Sequence, residues 1–121
     1  MKHLQKGRKL GRVRNQRTAL FRTMLGSLIM EEKIKTTEAK AKEMKAKIDR
    51  IINRAKLSRD PEKLVTIKRD LRIKLPLMAV KKVTGEFLEQ FSKRDSGYTR
   101  IIKIAPRQGD AAKLAIIEFV K

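Results

Sequence analysis

The first seventeen residues, MKHLQKGRKLGRVRNQR, are rich in side chains that can bind phosphate. They include seven lysines and arginines, two glycines and no carboxylate, and the first carboxylate of the chain is Glu31. Basic side chains neutralise nucleic-acid phosphates and release condensed counterions, and glycine lets a backbone approach and turn closely. The segment could therefore be a cleaved targeting peptide, a solvated tail, or an arm that lies on a polyanion. Its cations are Lys2, Lys6, Arg8, Lys9, Arg12, Arg14 and Arg17.

Residues typical of catalytic or metal sites are few in this sequence. The chain has no cysteine, and its only histidine is His3, which excludes thiolate chemistry and a site built from several histidines. Glu31 and Glu32 are adjacent, and neighbours on a helix do not face one another. The stretch GRKLGR is no phosphate-binding loop, because no strand precedes it. We therefore predict no catalytic residues, no metal and no cofactor.

SGYTR is a second candidate contact with nucleic acid. Tyr98 could stack on a base while Arg100 binds a phosphate, which is a common arrangement in RNA recognition. Alternatively, Tyr98 fills the edge of a sheet and Arg100 is solvated. The spacing of these residues does not choose between the two interpretations.

The overall charge also favours a polyanionic partner. There are 32 lysines and arginines against 13 carboxylates, which gives a formal net charge of +19, and a chain this basic attracts polyanions. No apolar run approaches the length of a membrane span. Composition leaves three classes open: an RNA-bound structural protein, a DNA-binding chromatin protein, and an imported enzyme with a cleavable leader.

The elements that position these residues begin with two helices and a short strand. Asn15 is predicted to cap a helix that runs to about Met30. KIKTT, residues 33–37, is predicted to be a strand, and Thr37 to cap the next helix. That helix should run from Glu38 to about Leu57, because apolar residues recur along it at helical spacing.

Two further helices and an extra turn are predicted next. Asp60 should cap a helix over residues 61–74, with proline at its first position. A short helix over residues 77–84 should be closed by Gly85, and EFLEQF should add one more turn.

The chain is predicted to end in a β-hairpin. Residues 98–105 and 113–120 are rich in strand-forming types, and residues 106–110 form the loop, with Asp110 as a turn former. The predicted fold is therefore α+β, with four or so helices packed on one face of a small two- or three-stranded sheet. We expect an extended basic arm over residues 1–14 and one globular domain over residues 15–121. The imperfect alternation does not predict which hairpin face is buried.

The segment IKTTEAKAKEMKAKIDRIINRAK, residues 34–56, resembles the signature of the bacterial ribosomal large-subunit protein seventeen family. MKH and GRKLGR resemble the start of the family, FRTMLGSL its first helix, and GYTRI and RQGD with AIIEFV its terminal hairpin. Gln16 and Glu31 stand where many members have histidine, and Asn53 stands where threonine is usual. The signature positions are Ile34, Thr36, Thr37, Lys40, Ala41, Lys42, Asp49, Ile51, Ile52 and Arg54.

This resemblance implies a non-catalytic structural constituent of the large ribosomal subunit, in the cytoplasm, near the polypeptide exit tunnel. Its partners would be large-subunit ribosomal RNA and neighbouring ribosomal proteins, with no membrane and no small-molecule substrate. The family begins where this sequence begins, so we expect the leader to be an RNA-binding arm. The alternative is a bacterial DNA-binding protein of the chromatin type. The residues expected to contact RNA are Lys2, His3, Lys6, Arg8, Lys9, Arg12, Arg14, Arg17, Arg22, Lys33, Lys35, Arg94, Tyr98, Arg100 and Arg107.

Overall fold

The chain folds into helices packed with a small sheet, which is an α+β arrangement. The computed structural model describes Arg8 and residues 10–120, and the predicted fold class is confirmed over this range. The helices are α1 (Arg14–Glu31), α2 (Glu38–Lys56), α3 (Leu64–Lys74) and α4 (Leu77–Val83), with 3-10 helices at Leu57–Arg59 and Glu86–Phe91. The strands are β1 (Lys33–Thr37), β2 (Thr99–Ile104) and β3 (Leu114–Phe119).

Helix α2 forms where the apolar spacing predicted it. Met44, Ile48 and Ile52 are fully buried along one side of the helix. The Thr37 hydroxyl accepts a hydrogen bond from the Lys40 backbone N–H at 3.4 Å, so the predicted N-cap is confirmed. The cap satisfies one of the backbone donors that a helix start leaves free.

Helix α1 begins earlier than predicted, and Asn15 does not cap it. The Arg17 N–H donates to the Val13 carbonyl at 2.9 Å, so Val13 is the N-cap and its side chain makes no capping bond. Asn15 is therefore already inside the first turn, where its side chain is exposed. The helix ends at Glu32, whose φ of 65° is left-handed and whose N–H donates to the Leu28 carbonyl.

The Asp60-Pro61 pair forms a turn before α3, so the predicted cap there is wrong. The Asp60 carboxylate accepts from the Glu62 N–H at 3.0 Å, and the Lys63 N–H donates to the Asp60 carbonyl at 3.0 Å. Proline suits the second position of such a turn as well as it suits the start of a helix. The helix consequently starts only at Leu64.

Gly85 does not close α4 in the predicted way. Its φ is −103°, so it lacks the left-handed conformation of a glycine C-cap. The Thr84 hydroxyl instead donates to the Val80 carbonyl at 2.8 Å. The extra turn at EFLEQF is confirmed, with the Phe87 and Phe91 ring centroids 5.3 Å apart.

The three strands form an antiparallel sheet in the order β1-β3-β2. Ile117 on the central strand lies opposite Ile34 and Ile101 in this register. Because side chains alternate along a strand, the residues of this row and those two positions away on each strand face the helices. The buried hairpin residues on this face are Thr99, Ile101, Ala115, Ile117 and Phe119, of which Ile101 is half-buried.

The core lies between the sheet and α2, with α1, α3 and α4 packed around it. Three of its aromatic side chains, Phe87, Phe91 and Phe119, are grouped at the end of the sheet, with ring centroids 5.1–5.3 Å apart. Tyr98 packs edge-on against Phe91 at 5.3 Å. Each large side chain buried in this way stabilises the fold by roughly 1.5–3 kcal/mol relative to exposure.

Candidate nucleic-acid interface

The face of the sheet that points away from the helices gathers three of the predicted RNA contacts. Lys33 lies opposite Glu118 in the register, and Glu118 lies opposite Arg100. Lys35 shares this face because it is two residues beyond Lys33. We call this side of the sheet the outer face.

The outer face combines an apolar centre with a basic edge. Ile102 is 41% exposed at its centre, opposite the half-buried Ile116. At one end, Lys35, Lys40 and Arg107 line a shallow groove of about 660 Å³. The structure thus places four of the predicted cations, Lys33, Lys35, Arg100 and Arg107, on or beside one surface.

Glu118 is the carboxylate on this face, and two cations face it. The Arg100 Nε donates to Glu118 Oε1 at 2.7 Å, and Lys33 Nζ lies 3.8 Å from Oε2. The hydrogen bond from Arg100, with the charges of Arg100 and Lys33, lowers the pKa of the Glu118 carboxyl. Exposed ion pairs contribute little to stability, so phosphate groups can compete for both cations.

The hairpin loop is organised by Arg107 and Asp110. The Arg107 guanidinium donates to both Asp110 oxygens, at 3.0 and 2.8 Å, and the Ala112 N–H donates to Asp110 Oδ1 at 3.1 Å. The bond from Arg107 and then that from Ala112 lower the Asp110 pKa from 3.8 to about 2. The prediction that Asp110 is a turn former is confirmed.

This lowered pKa gives the protein a defined acid sensitivity. The stabilisation by ionised Asp110 is complete above pH 3.8 and is lost as the pH falls through about 2. Asp110→Asn should therefore have a lower melting temperature than wild type at neutral pH, and the difference should vanish below about pH 2. Thermal unfolding across this range measures it. Glu38 and Glu118 shift in the same direction, so wild type still loses stability in acid.

Asp95→Asn provides the matched control for the acid titration. Asp95 is an exposed loop residue outside the hairpin loop, and its replacement should leave the acid dependence close to that of wild type. A constant difference between Asp110→Asn and wild type at every pH would contradict the role assigned to Asp110.

Three predicted cations in α1 or just before it make contacts within the protein. Arg12 Nη1 donates to the Leu10 carbonyl at 2.8 Å, and Arg17 Nη1 donates to the Arg12 carbonyl at 3.3 Å. Arg22 Nη2 reaches the Leu75 carbonyl at 3.5 Å. These carbonyls are neutral, so the three guanidinium charges stay available to an anion.

Arg8 lies against α2, where its Nη1 is 3.0 Å from Glu43 Oε1. Arg14 is exposed in the first turn of α1. The remaining predicted contacts of the leader, Lys2, His3, Lys6 and Lys9, lie outside the described residues.

Tyr98 is fully buried, so the prediction that it stacks on a base is wrong. Its exposed fraction is 0%, and its hydroxyl accepts a hydrogen bond from Lys56 Nζ at 2.8 Å. The same hydroxyl lies 3.1 Å from the carbonyl of Arg94 and contacts the Asn53 side chain. The alternative, that Tyr98 packs at the edge of the sheet, is correct for the tyrosine, whereas Arg100 is exposed but paired with Glu118. Arg94 takes part in this network through its carbonyl.

The structure also brings together cations that were not predicted as contacts. Arg50 on α2 and Lys74 on α3 line a groove with Arg17 and Arg22 of α1. Arg50 follows Lys47 at helical spacing on the flank of the apolar stripe, and this pattern is the signal that could have identified it. Lys74 carries no comparable signal, because its position depends on how α3 packs.

Among Arg8 and residues 10–120, no group of three histidine, aspartate or glutamate side chains could hold a metal ion. No helix in the same part of the chain combines the length and apolar character needed to cross a membrane.

The chain is similar to known proteins along nearly its whole length. The model of the family described as Ribosomal protein L17 matches residues 20–120. The large ribosomal subunit protein bL17 of Rubrobacter xylanophilus is 43% identical, covering 99% of this chain and 96% of that protein. The proteins of the same name from Phytoplasma mali and Staphylococcus epidermidis are 42% and 39% identical, each covering 93% of this chain and 97% and 98% of their own lengths. The resemblance seen in residues 34–56 is thereby confirmed, and the chain belongs to the ribosomal protein L17 family.

Proposed function

We propose that this protein is a structural, non-catalytic constituent of the large ribosomal subunit that binds large-subunit ribosomal RNA. The observation that carries the proposal is the match to large ribosomal subunit proteins over 99% of the chain. A family of ribosomal proteins also accounts for the lack of a catalytic constellation in the sequence. As a ribosomal protein with bacterial relatives, it would act in the cytoplasm, beside neighbouring ribosomal proteins.

The RNA is proposed to contact the basic leader and the outer face of the sheet. A net charge of +19 favours the phosphate backbone, and A-form RNA is recognised mainly by shape and phosphate contacts. We take residues 1–14 as the arm and residues 15–121 as the globular domain. A position near the polypeptide exit tunnel rests on the family resemblance alone. The proposed contacts are Lys2, His3, Lys6, Arg8, Lys9, Arg12, Arg14, Arg17, Arg22, Lys33, Lys35, Arg94, Arg100 and Arg107.

Sedimentation in a density gradient tests this function, with a truncated chain as the second sample. Leu10 packs against the core, so removal of residues 1–9 should leave the globular domain intact while deleting four cations. Full-length protein should sediment with large subunits and remain bound to them after washing at moderate salt. The truncated chain should melt cooperatively but bind large-subunit RNA with a salt slope lower by about three, since each lost phosphate contact contributes about 0.7–0.9.

Two results would overturn parts of this proposal. A pool of full-length protein found only on chromosomal DNA would favour the chromatin-type alternative. An unchanged salt slope in the truncated chain would remove the leader from the binding surface.

A further inference from the structure

We propose that a groove between α1 and α3, floored by α2, binds an unstacked nucleotide of single-stranded RNA. This inference rests on the proposed function, because it takes RNA as the partner. It adds a second binding surface that differs in character from the outer face of the sheet.

The groove is formed by two adjoining depressions. The first encloses about 300 Å³ and the second about 380 Å³. Both are lined by Arg50, Ile51, Ile73 and Lys74, so they form one continuous surface. Each volume lies at the lower end of the roughly 300–1,000 Å³ typical of small-ligand sites, which suits a single nucleotide.

Positive charge dominates the walls of the groove. One carboxylate, Asp70, lines it, and this carboxylate forms an ion pair with Arg54. Among the described residues, none of the other cations of the groove forms an ion pair. These cations are Arg17, Arg22, Lys47, Arg50 and Lys74. A site with five uncompensated cations fits phosphate groups.

The centre of the groove is apolar and accessible. Ile73 is 74% exposed, more than any other large hydrophobic side chain in the described range. Phe21 and Leu25 line the same depression, and the Lys47 ammonium lies 4.9 Å from the centroid of the Phe21 ring. An exposed aliphatic side chain in a groove that is also lined by cations can contact the face of a base while the cations bind its phosphates.

This arrangement favours a single strand over a duplex. In A-form RNA the bases are stacked inside the duplex, and their faces are not available to a side chain such as Ile73. Single-stranded RNA can turn a base outward, and contact between base faces and side chains tolerates any sequence. We therefore expect the groove to prefer unpaired nucleotides.

Methyl NMR of the full-length chain tests the site directly. The probes are a short single-stranded oligouridylate and an RNA duplex of the same length. The Ile73 methyl resonance should shift on adding the single strand and respond much less to the duplex. The Ile102 methyl on the outer face reports the other surface in the same spectrum.

A matched pair of substitutions separates the groove from general charge effects. Ile73→Glu and Val65→Glu both replace an exposed aliphatic residue of α3, and only Ile73 lines the groove. Ile73→Glu removes the apolar contact and adds a negative charge, so it should weaken binding of the oligouridylate about fivefold, which is the lower end of the range for loss of an aromatic base contact. Val65→Glu should change it less than Ile73→Glu. Equal effects, or a silent Ile73 methyl, would overturn the proposal.

The cation contribution is measured by a second pair. Arg50→Gln should reduce the dependence of log Kd on log salt by about one, as expected for the loss of one phosphate contact. Arg69→Gln removes the same charge from α3 outside the groove and should leave that slope unchanged. Equal slopes in the two variants would count against phosphate binding at Arg50.

The outcomes distinguish this inference from the proposed function. Suppose that wild-type protein sediments with large subunits but its Ile73 methyl resonance does not shift when RNA is added. This result would overturn only the proposed RNA site in the groove. Wild-type protein that never sediments with large subunits would overturn the proposed function itself. A groove whose methyl resonances respond to an acidic amphipathic peptide and not to the oligouridylate would replace RNA with a protein partner.

Discussion

Gly26→Ala is expected to lower the free energy of unfolding by about 2 kcal/mol, within the usual range for overpacking a core. Gly26 is buried inside α1, and Pro76, the N-cap residue of α4, lies beside it. A Cβ atom built on Gly26 would lie 2.7 Å from both Cγ and Cδ of Pro76. Carbon atoms in contact prefer about 3.5–4.0 Å, so the two helices must move apart.

The neighbour of Gly26 has little freedom to move. The proline ring is closed on its own backbone nitrogen and has no rotamer that would carry it away. Alanine is favoured over glycine in a helix by about 1 kcal/mol, and this gain offsets only part of the clash. A less stable Gly26→Ala protein therefore indicates that the packing clash dominates, and a more stable one indicates that helix propensity dominates.

Chemical and thermal unfolding measure this prediction, with Ser27→Ala as the matched control. Ser27 is the exposed neighbour of Gly26 in α1, so its replacement should be neutral or slightly stabilising. A loss of about 2 kcal/mol corresponds to a fall in melting temperature of roughly 6–10 °C for a domain of this size.

A double mutant shows whether Pro76 is the cause. The Pro76→Ala change removes the ring atoms that the new Cβ would meet. The Gly26→Ala/Pro76→Ala protein should then be more stable than the sum of the two single changes predicts. A Gly26→Ala protein as stable as wild type would contradict the close approach of α1 and α4.

Local signals explain which elements were predictable from the sequence. Helix α2 was predicted from the periodicity of its apolar residues. Its Thr37 cap needs only the backbone N–H three residues further along, so it could also be predicted locally. The cap at Asp60 failed because aspartate followed by proline begins a turn as readily as a helix. The cap at Asn15 failed because Val13 is the extended residue whose carbonyl accepts the first helical bond, which leaves Asn15 inside the first turn.

The site was less predictable, because it depends on contacts between distant segments. Lys33 and Lys35 were chosen for their charge and Arg100 for its place beside Tyr98, and the strand register brought the three to one face. Lys74 reaches the groove only through the packing of α3 on α2. The two interpretations of Tyr98 could not be separated until the buried side of the hairpin was known.

Substitutions at Tyr98 are expected to have the largest effects on stability. The ring packs against Phe91 in the core, and truncation of a buried aromatic side chain costs about 3–5 kcal/mol. Tyr98→Ala should lose that amount. Tyr98→Phe keeps the ring and loses the hydroxyl that contacts Lys56, so it should lose about 1–2 kcal/mol.

Tyr98→Leu separates the structural role from base stacking. Leucine fills part of the cavity but has no aromatic face. The stability of the Tyr98→Leu protein should therefore lie between those of the Tyr98→Phe and Tyr98→Ala proteins. A tyrosine that stacked on a base would lose about 1–3 kcal/mol of RNA binding on this change. If Tyr98 is buried and does not stack, the Tyr98→Leu change should leave RNA affinity unchanged. The affinity must be measured at a temperature where the variant is folded.

The expected result is thus that stability falls from Tyr98→Phe through Tyr98→Leu to Tyr98→Ala, while the RNA affinity of the folded proteins stays the same. Denaturant unfolding gives the first, and titration with the same RNA at fixed salt gives the second. Because binding stabilises only the folded protein, the folded fraction of each variant must be measured under the titration conditions. A Tyr98→Leu protein that is fully folded but binds RNA tenfold more weakly would restore the stacking interpretation. It would then require the ring to leave its contacts with Phe91 and Lys56 when RNA binds.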